Sequence, residues 1–141
     1  MESTLLTSNV AARYQAVQIR TNDPGEALVA LYDGLFRFLN VARYGLRNGQ
    51  RARAGEALSK AHAIVSEFYL ALDHTQAPEL CANLASLYNF CLDRITRANL
   101  KSDPVMIDEV IRVLEPVRDA FTTVVRSEAA KSAAEAKRSG K

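Results

Sequence analysis

Residues 23–49 read DPGEALVALYDGLFRFLNVARYGLRNG, and this stretch decides the fold. Asp23 suits a helix cap, Pro24 suits the first helical position, and Glu26 can return a hydrogen bond to the cap, so a helix begins here. Leu28, Leu31, Leu35, Phe38, Leu39, Ala42 and Leu46 then recur at three- and four-residue spacing, the period of one buried helical face. Asn48-Gly49 supplies the stop. The spacing predicts a first helix over 24–48.

Working outward, three more stripes of the same period follow. Leu58, Ala61, Ile64, Val65, Phe68 and Leu72 form the second, which starts near Arg51 without a clear signal and ends at Asp73-His74-Thr75, ahead of Pro78. The third runs from Pro78 through Leu80, Leu84, Leu87, Tyr88, Cys91, Ile95 and Ala98. Asp103-Pro104 repeats the cap-plus-proline signal and opens the fourth, which carries Ile107, Val110, Leu114, Val117, Phe121 and Val124. Pro116 interrupts that stripe and is expected to bend the helix. Four near-heptad stripes joined by short turns predict an all-α chain folded as an antiparallel up-down-up-down four-helix bundle. No segment with a strand period competes.

The bundle is expected over residues 21–126, with an N-terminal arm at 1–20 and a flexible C-terminal tail at 127–141 made of Ala, Ser, Lys and Glu. The arm carries Val10, Ala11, Ala12, Tyr14, Val17 and Ile19, too apolar for a free tail. It is expected to lie against the bundle, either as a removable lid or as a permanent part of the core.

Composition narrows the function. The chain has 141 residues, the size of one domain, and 48% of them are hydrophobic, enough to build a core. Its formal net charge of +2 comes from 18 basic and 16 acidic residues, a balance that argues against a nucleic-acid partner. No apolar run approaches the roughly 18 residues of a membrane span, and Met1-Glu2-Ser3-Thr4 lacks the features of a secretion signal. A cytoplasmic location is expected, with no membrane insertion.

Motifs of catalysis are missing. The chain has two histidines, His62 and His74, no HExxH, no CxxC and no phosphate-binding glycine loop, so neither a metal nor a cofactor is expected. Cys81 and Cys91 lie ten residues apart on one expected helix, about 15 Å between Cα atoms, too far for a disulfide. They read as buried thiols. His62 makes a four-helix phosphotransfer domain the enzyme-like alternative, but Ala63-Ile64 follow it where that class carries Lys-Gly.

The positive signal is a surplus of apolar residues beyond one stripe per helix: Phe36, Tyr44, Tyr69, Phe90, Leu92, Val113 and Val125. A bundle with such a surplus offers a groove for a partner segment or an interface between copies of itself.

Five segments together resemble the flagellar secretion chaperone specific for flagellin. They are Tyr14-Gln15 with Val17; Leu31-Tyr32-Asp33-Gly34 with Arg37-Phe38-Leu39; Glu56-Ala57-Leu58-Ser59-Lys60-Ala61 with Ile64 and residues 70–73; Asn83-Leu84, Leu87-Tyr88 and Phe90; and Ala98-Asn99-Leu100 with Asp103. Two departures are visible: Phe121 stands where the family often has Trp, and the turn Thr75 to Pro78 lacks the glycines common there. The resemblance implies a four-helix chaperone that binds the C-terminal segment of flagellin, prevents premature polymerisation and delivers the subunit to the type III export apparatus. An export-gate component or a flagellar regulator would be a further partner. The expected contact residues are Ile64, Phe68, Tyr69, Leu84, Leu87, Tyr88, Phe90 and Val113, and Tyr14, Val17 and Ile19 are expected to cap the groove.

Overall fold

The computed structural model describes residues 24–140, which form four helices and no strand. α1 spans Pro24–Arg47, α2 Arg51–Leu70, α3 Pro78–Lys101 and α4 Pro104–Arg138. Each helix packs on its neighbour in chain order, and α4 closes the ring against α1, giving the up-down-up-down bundle expected. Asp23 and the arm residues Tyr14, Val17 and Ile19 lie outside the described residues.

The connections follow from local chemistry. At the end of α1 both the backbone N–H and the side-chain amide of Asn48 donate to the Tyr44 carbonyl, at 3.0 and 2.8 Å, and Gly49 takes a φ of +71°. Gln50 N–H then reaches back to the Gly45 carbonyl at 2.8 Å. A Cβ on Gly45 would stand 3.0 Å from Gln50 O and 3.1 Å from Ala54 Cβ, so α2 approaches α1 on bare backbone. Gln50 makes no side-chain cap bond, which is why the start of α2 carries no sequence signal. Between α2 and α3, Asp73 Oδ1 accepts from Thr75 N and Oγ1 at 3.1 and 2.6 Å, an Asx turn that substitutes for the missing glycines. Asp103 Oδ1 accepts from Val105 N at 2.9 Å, as the cap-plus-proline signal predicts.

The core contains an aromatic layer with one residue from each helix. Tyr32 of α1 stacks on Phe68 of α2 at 4.4 Å between ring centroids and on Phe121 of α4 at 5.7 Å, and Phe68 lies 5.9 Å from Tyr88 of α3. The Tyr32 and Tyr88 hydroxyls hydrogen-bond to each other at 2.8 Å, so neither buried oxygen is left without a partner. Burial pushes the Tyr32 hydroxyl well above its usual pKa and the Tyr88 hydroxyl up to about 12, holding both neutral. Cys81 and Cys91 are free and buried; the Cys81 thiol donates to the Asp73 carbonyl at 3.3 Å, and burial pushes the Cys91 thiol up to about 12.

Several expectations are corrected. α4 continues as helix to Arg138, through most of the segment 127–141 expected to be a flexible tail. Its Ala, Glu and Lys are strong helix formers, a propensity that an apolar stripe does not register. Every residue from Arg126 to Gly140 is exposed, in keeping with the absence of an apolar stripe. α4 runs through Pro116, which has no N–H to offer the Arg112 carbonyl, the loss from which a bend is expected. In α3, Cys81 takes the core position assigned to Leu80, which is 58% exposed.

Candidate binding surface

A partner segment needs apolar side chains that the bundle itself leaves partly uncovered. The structure divides the eight expected contact residues by this criterion. Phe68 and Tyr88 belong to the aromatic layer at 1% exposure each, and Ile64 and Leu84 are also buried, at 6% and 9%. These four support the surface from beneath. Tyr69, Leu87, Phe90 and Val113 are half-buried and packed against the core cluster.

Three of those four gather along the seam between α3 and α4, where Arg94 of α3 fixes the geometry. Its guanidinium lies 4.9 Å above the Phe90 ring, and its Nε stands 3.3 Å from Glu109 Oε2 on α4. The Nε is buried without hydrogen-bond geometry, so the contact with Glu109 is an ion pair only. Leu87 precedes Phe90 by three residues, and Val113 and Val117 follow Glu109 by four and eight, so helical spacing puts all four beside the same seam. Toward the lower end of that seam the apolar strip continues into Leu80, 58% exposed, and Val124, 54% exposed. The result is an elongated apolar strip, bounded at its upper end by the charged group of Arg94, Asp93 and Glu109.

Tyr69 does not join this strip. It follows Ser66, which approaches His62 Nδ1 at 3.5 Å, and these positions share the side of α2 that faces α3. On that second seam Leu58 and Ile95 floor a cavity of about 170 Å³ rimmed by Ser59, His62, Thr96, Asn99 and Leu100. His62 is half-buried and, among the described residues, its ring approaches the Ser66 hydroxyl and no carboxylate.

Sequence reasoning missed Leu80 and Val124 as surface residues, because both fit the apolar period of their helices. Leu80 is exposed because its neighbour Cys81 takes the core position, and Val124 because it lies beyond Phe121, the last residue of α4 packed on the core. Of the seven surplus apolar residues, Phe36 proves buried at 6% beneath the Arg118 guanidinium, 4.4 Å from its ring, while Tyr44 is 59% exposed.

Among the described residues no group of three or more His, Cys, Asp and Glu is placed to hold a metal ion, and no helix is long and apolar enough to cross a membrane.

Comparison with known proteins agrees with this architecture. A family model described as flagellar protein FliS matches residues 7–128. The flagellar secretion chaperone FliS of Bacillus subtilis is 32% identical over 120 residues, covering 85% of this chain and 89% of that protein. The FliS chaperone of Salmonella typhimurium is 33% identical over 107 residues, 75% of this chain and 79% of the relative. That of Vibrio cholerae is 28% identical over 107 residues, 76% and 79% of the two chains. With a match that spans the whole bundle, the chain belongs to the FliS family of flagellar secretion chaperones.

Proposed function

We propose that this chain is a cytoplasmic export chaperone that binds the C-terminal segment of flagellin, prevents its premature polymerisation and helps deliver it to the flagellar type III export apparatus. The observation that supports the reading best is the apolar strip of Leu87, Phe90, Val113 and Val117 along the α3–α4 seam. A segment that is apolar and unfolded before assembly would bury its own side chains there as it becomes ordered, and the ordering entropy keeps affinity per unit area modest.

In this reading the chain acts by binding alone, without catalysis or a cofactor. Leu87, Phe90 and Val113 touch the client directly, Tyr69 offers a separate contact on the α2–α3 seam, and Ile64, Phe68, Leu84 and Tyr88 support these surfaces from the core. Tyr14, Val17 and Ile19 of the arm cover part of the strip while no client is bound. An export-gate component or flagellar regulator is a further partner.

Co-purification tests this. Tagged chain expressed with full-length flagellin should retain it, and should lose it when the flagellin C-terminal segment is deleted. Retention that instead required the flagellin N-terminal segment would refute the client assignment while leaving the family membership intact.

A further inference from the structure

The small net charge of the chain conceals a segregation that appears once the helix directions are known. From Arg37 to Lys60, across the upper half of α1, the α1–α2 turn and the upper half of α2, there are six basic residues and one acid, Glu56. Residues 24–36 and 61–80, the lower halves of the same helices with the start of α3, carry Glu26, Asp33, Glu67, Asp73 and Glu79 and no Lys or Arg. α1 and α2 therefore carry a basic shoulder at the apex of their hairpin and are acidic toward its open end.

That shoulder also presents apolar surface. Tyr44 is 59% exposed, and Phe38 and Val41 are half-buried beside it. Arg37, Val41 and Tyr44 recur at helical spacing along α1, and Arg53, Glu56 and Lys60 do so along α2, where Lys60 Nζ stands 5.5 Å above the Phe38 ring across the seam. Arg43 and Arg47 are taken up on the neighbouring side of α1, where they pair with Asp108 of α4 at 2.7 and 3.4 Å. Arg37 and Arg53 stand exposed, with no carboxylate partner among the described residues.

We propose that the α1–α2 shoulder, across the bundle from the α3–α4 strip, is a second docking surface, and that it takes an acidic amphipathic helix of another protein. Glutamates and aspartates of that helix pair with Arg37 and Arg53, while Lys60 is already paired with Glu56 at 3.3 Å, and the apolar residues of that helix settle on Phe38, Val41 and Tyr44. Charge complementarity selects this occupant, since guanidinium groups accept carboxylates in bidentate geometry. The extent of the patch selects it over longer polyanions. The basic stretch of each helix is about 12 residues, or roughly 18 Å. A nucleic-acid duplex or an anionic membrane running past it would meet the carboxylates of the lower half. A short helix fits within it.

The test uses the full chain and a synthetic 18-residue helical peptide with Leu and Phe at one-face spacing and Glu elsewhere, beside the same peptide with Gln for every Glu. Calorimetry at about 50 mM salt should give one-to-one binding of the Glu peptide, roughly tenfold tighter than the Gln peptide, and the advantage should shrink at about 300 mM salt as screening increases. The double variant Arg37→Glu/Arg53→Glu, with its helicity checked by circular dichroism, should lose about tenfold for the Glu peptide while still binding a flagellin C-terminal peptide as the wild type does. Tyr44→Ala should weaken the Glu peptide without changing its salt dependence. Equal affinity for Glu and Gln peptides, or no effect of the double variant, would overturn the proposal. So would loss of the Glu peptide on Phe90→Ala, which would make the two faces one site. Tighter binding of an RNA oligonucleotide or of phosphatidylglycerol vesicles, abolished by the same double variant, would also overturn it and reassign the shoulder to a polyanion.

Discussion

Tyr32 and Tyr88 meet hydroxyl to hydroxyl at 2.8 Å across the diagonal of the bundle, 56 residues apart in the chain. The bond joins α1 to α3, two helices whose backbones do not pack against each other. Replacing either tyrosine by Phe leaves the other hydroxyl buried without a partner, which costs about 1–3 kcal/mol. The double replacement removes both oxygens and is expected to cost less than the sum of the singles. A double-mutant cycle by urea denaturation measures this; strictly additive losses would mean that the bond contributes nothing.

The raised pKa values give a stability trend in alkali. Unfolded Cys and Tyr release protons around their ordinary values of 9.0 and 10.0, whereas folding holds the Cys91 and Tyr88 protons to about 12. Above pH 9 the unfolded state therefore binds fewer protons than the folded one, and stability falls as pH rises from about 9 toward 12. Below 9 neither group contributes a slope. Denaturation midpoints across that range check the sign. Thiol reagents at neutral pH should label Cys81 and Cys91 only at the rate of unfolding.

Two turn positions should respond in opposite directions. Ser102 holds the left-handed conformation at φ 52°, and its buried hydroxyl has no hydrogen-bond partner. Ser102→Gly removes both penalties and should stabilise the fold by about 1 kcal/mol. Gly45→Ala pushes a methyl against Gln50 O and Ala54 Cβ and should cost about 1–3 kcal/mol. Thermal unfolding of the two variants would show melting temperatures on either side of the wild type.

How much of this was legible in the sequence differs from element to element. Asn48-Gly49 and Asp103-Pro104 marked their helix ends because the cap chemistry is local. The aromatic layer was not readable, since nothing near Tyr88 in the chain reveals that Tyr32 satisfies its hydroxyl; without that partner a tyrosine on a stripe reads equally well as surface. Phe68 and Tyr88 were accordingly expected to touch the client, and instead lie in the core. Leu87, Phe90 and Val113 are among the residues expected to touch the client, but their shared seam was not readable, nor was the exposure of Leu80, which follows from Cys81 taking the core position beside it. The basic shoulder was hidden in a near-neutral total, and emerges only when α1 and α2 are known to run in opposite directions.

If the arm covers the strip, removing it has a definite consequence. Deletion of residues 1–20 should tighten binding of a flagellin C-terminal peptide, because the closed fraction no longer reduces the apparent affinity. Stability should fall as the apolar surface beneath the arm becomes wet. Tyr14→Ala should do the same to a smaller extent. Weaker binding by both variants, with helicity unchanged, would make the arm a contact surface and not a lid.

The central claim is that the α3–α4 strip holds the C-terminal segment of flagellin, and calorimetric titration of that peptide into wild-type chain and Phe90→Ala tests it most directly. The wild type should bind one to one with a negative heat-capacity change from apolar burial, and Phe90→Ala, with its fold intact by circular dichroism, should bind at least about tenfold more weakly. No binding to the wild type, or an affinity untouched by Phe90→Ala and by Leu87→Ala/Val113→Ala, would contradict the account.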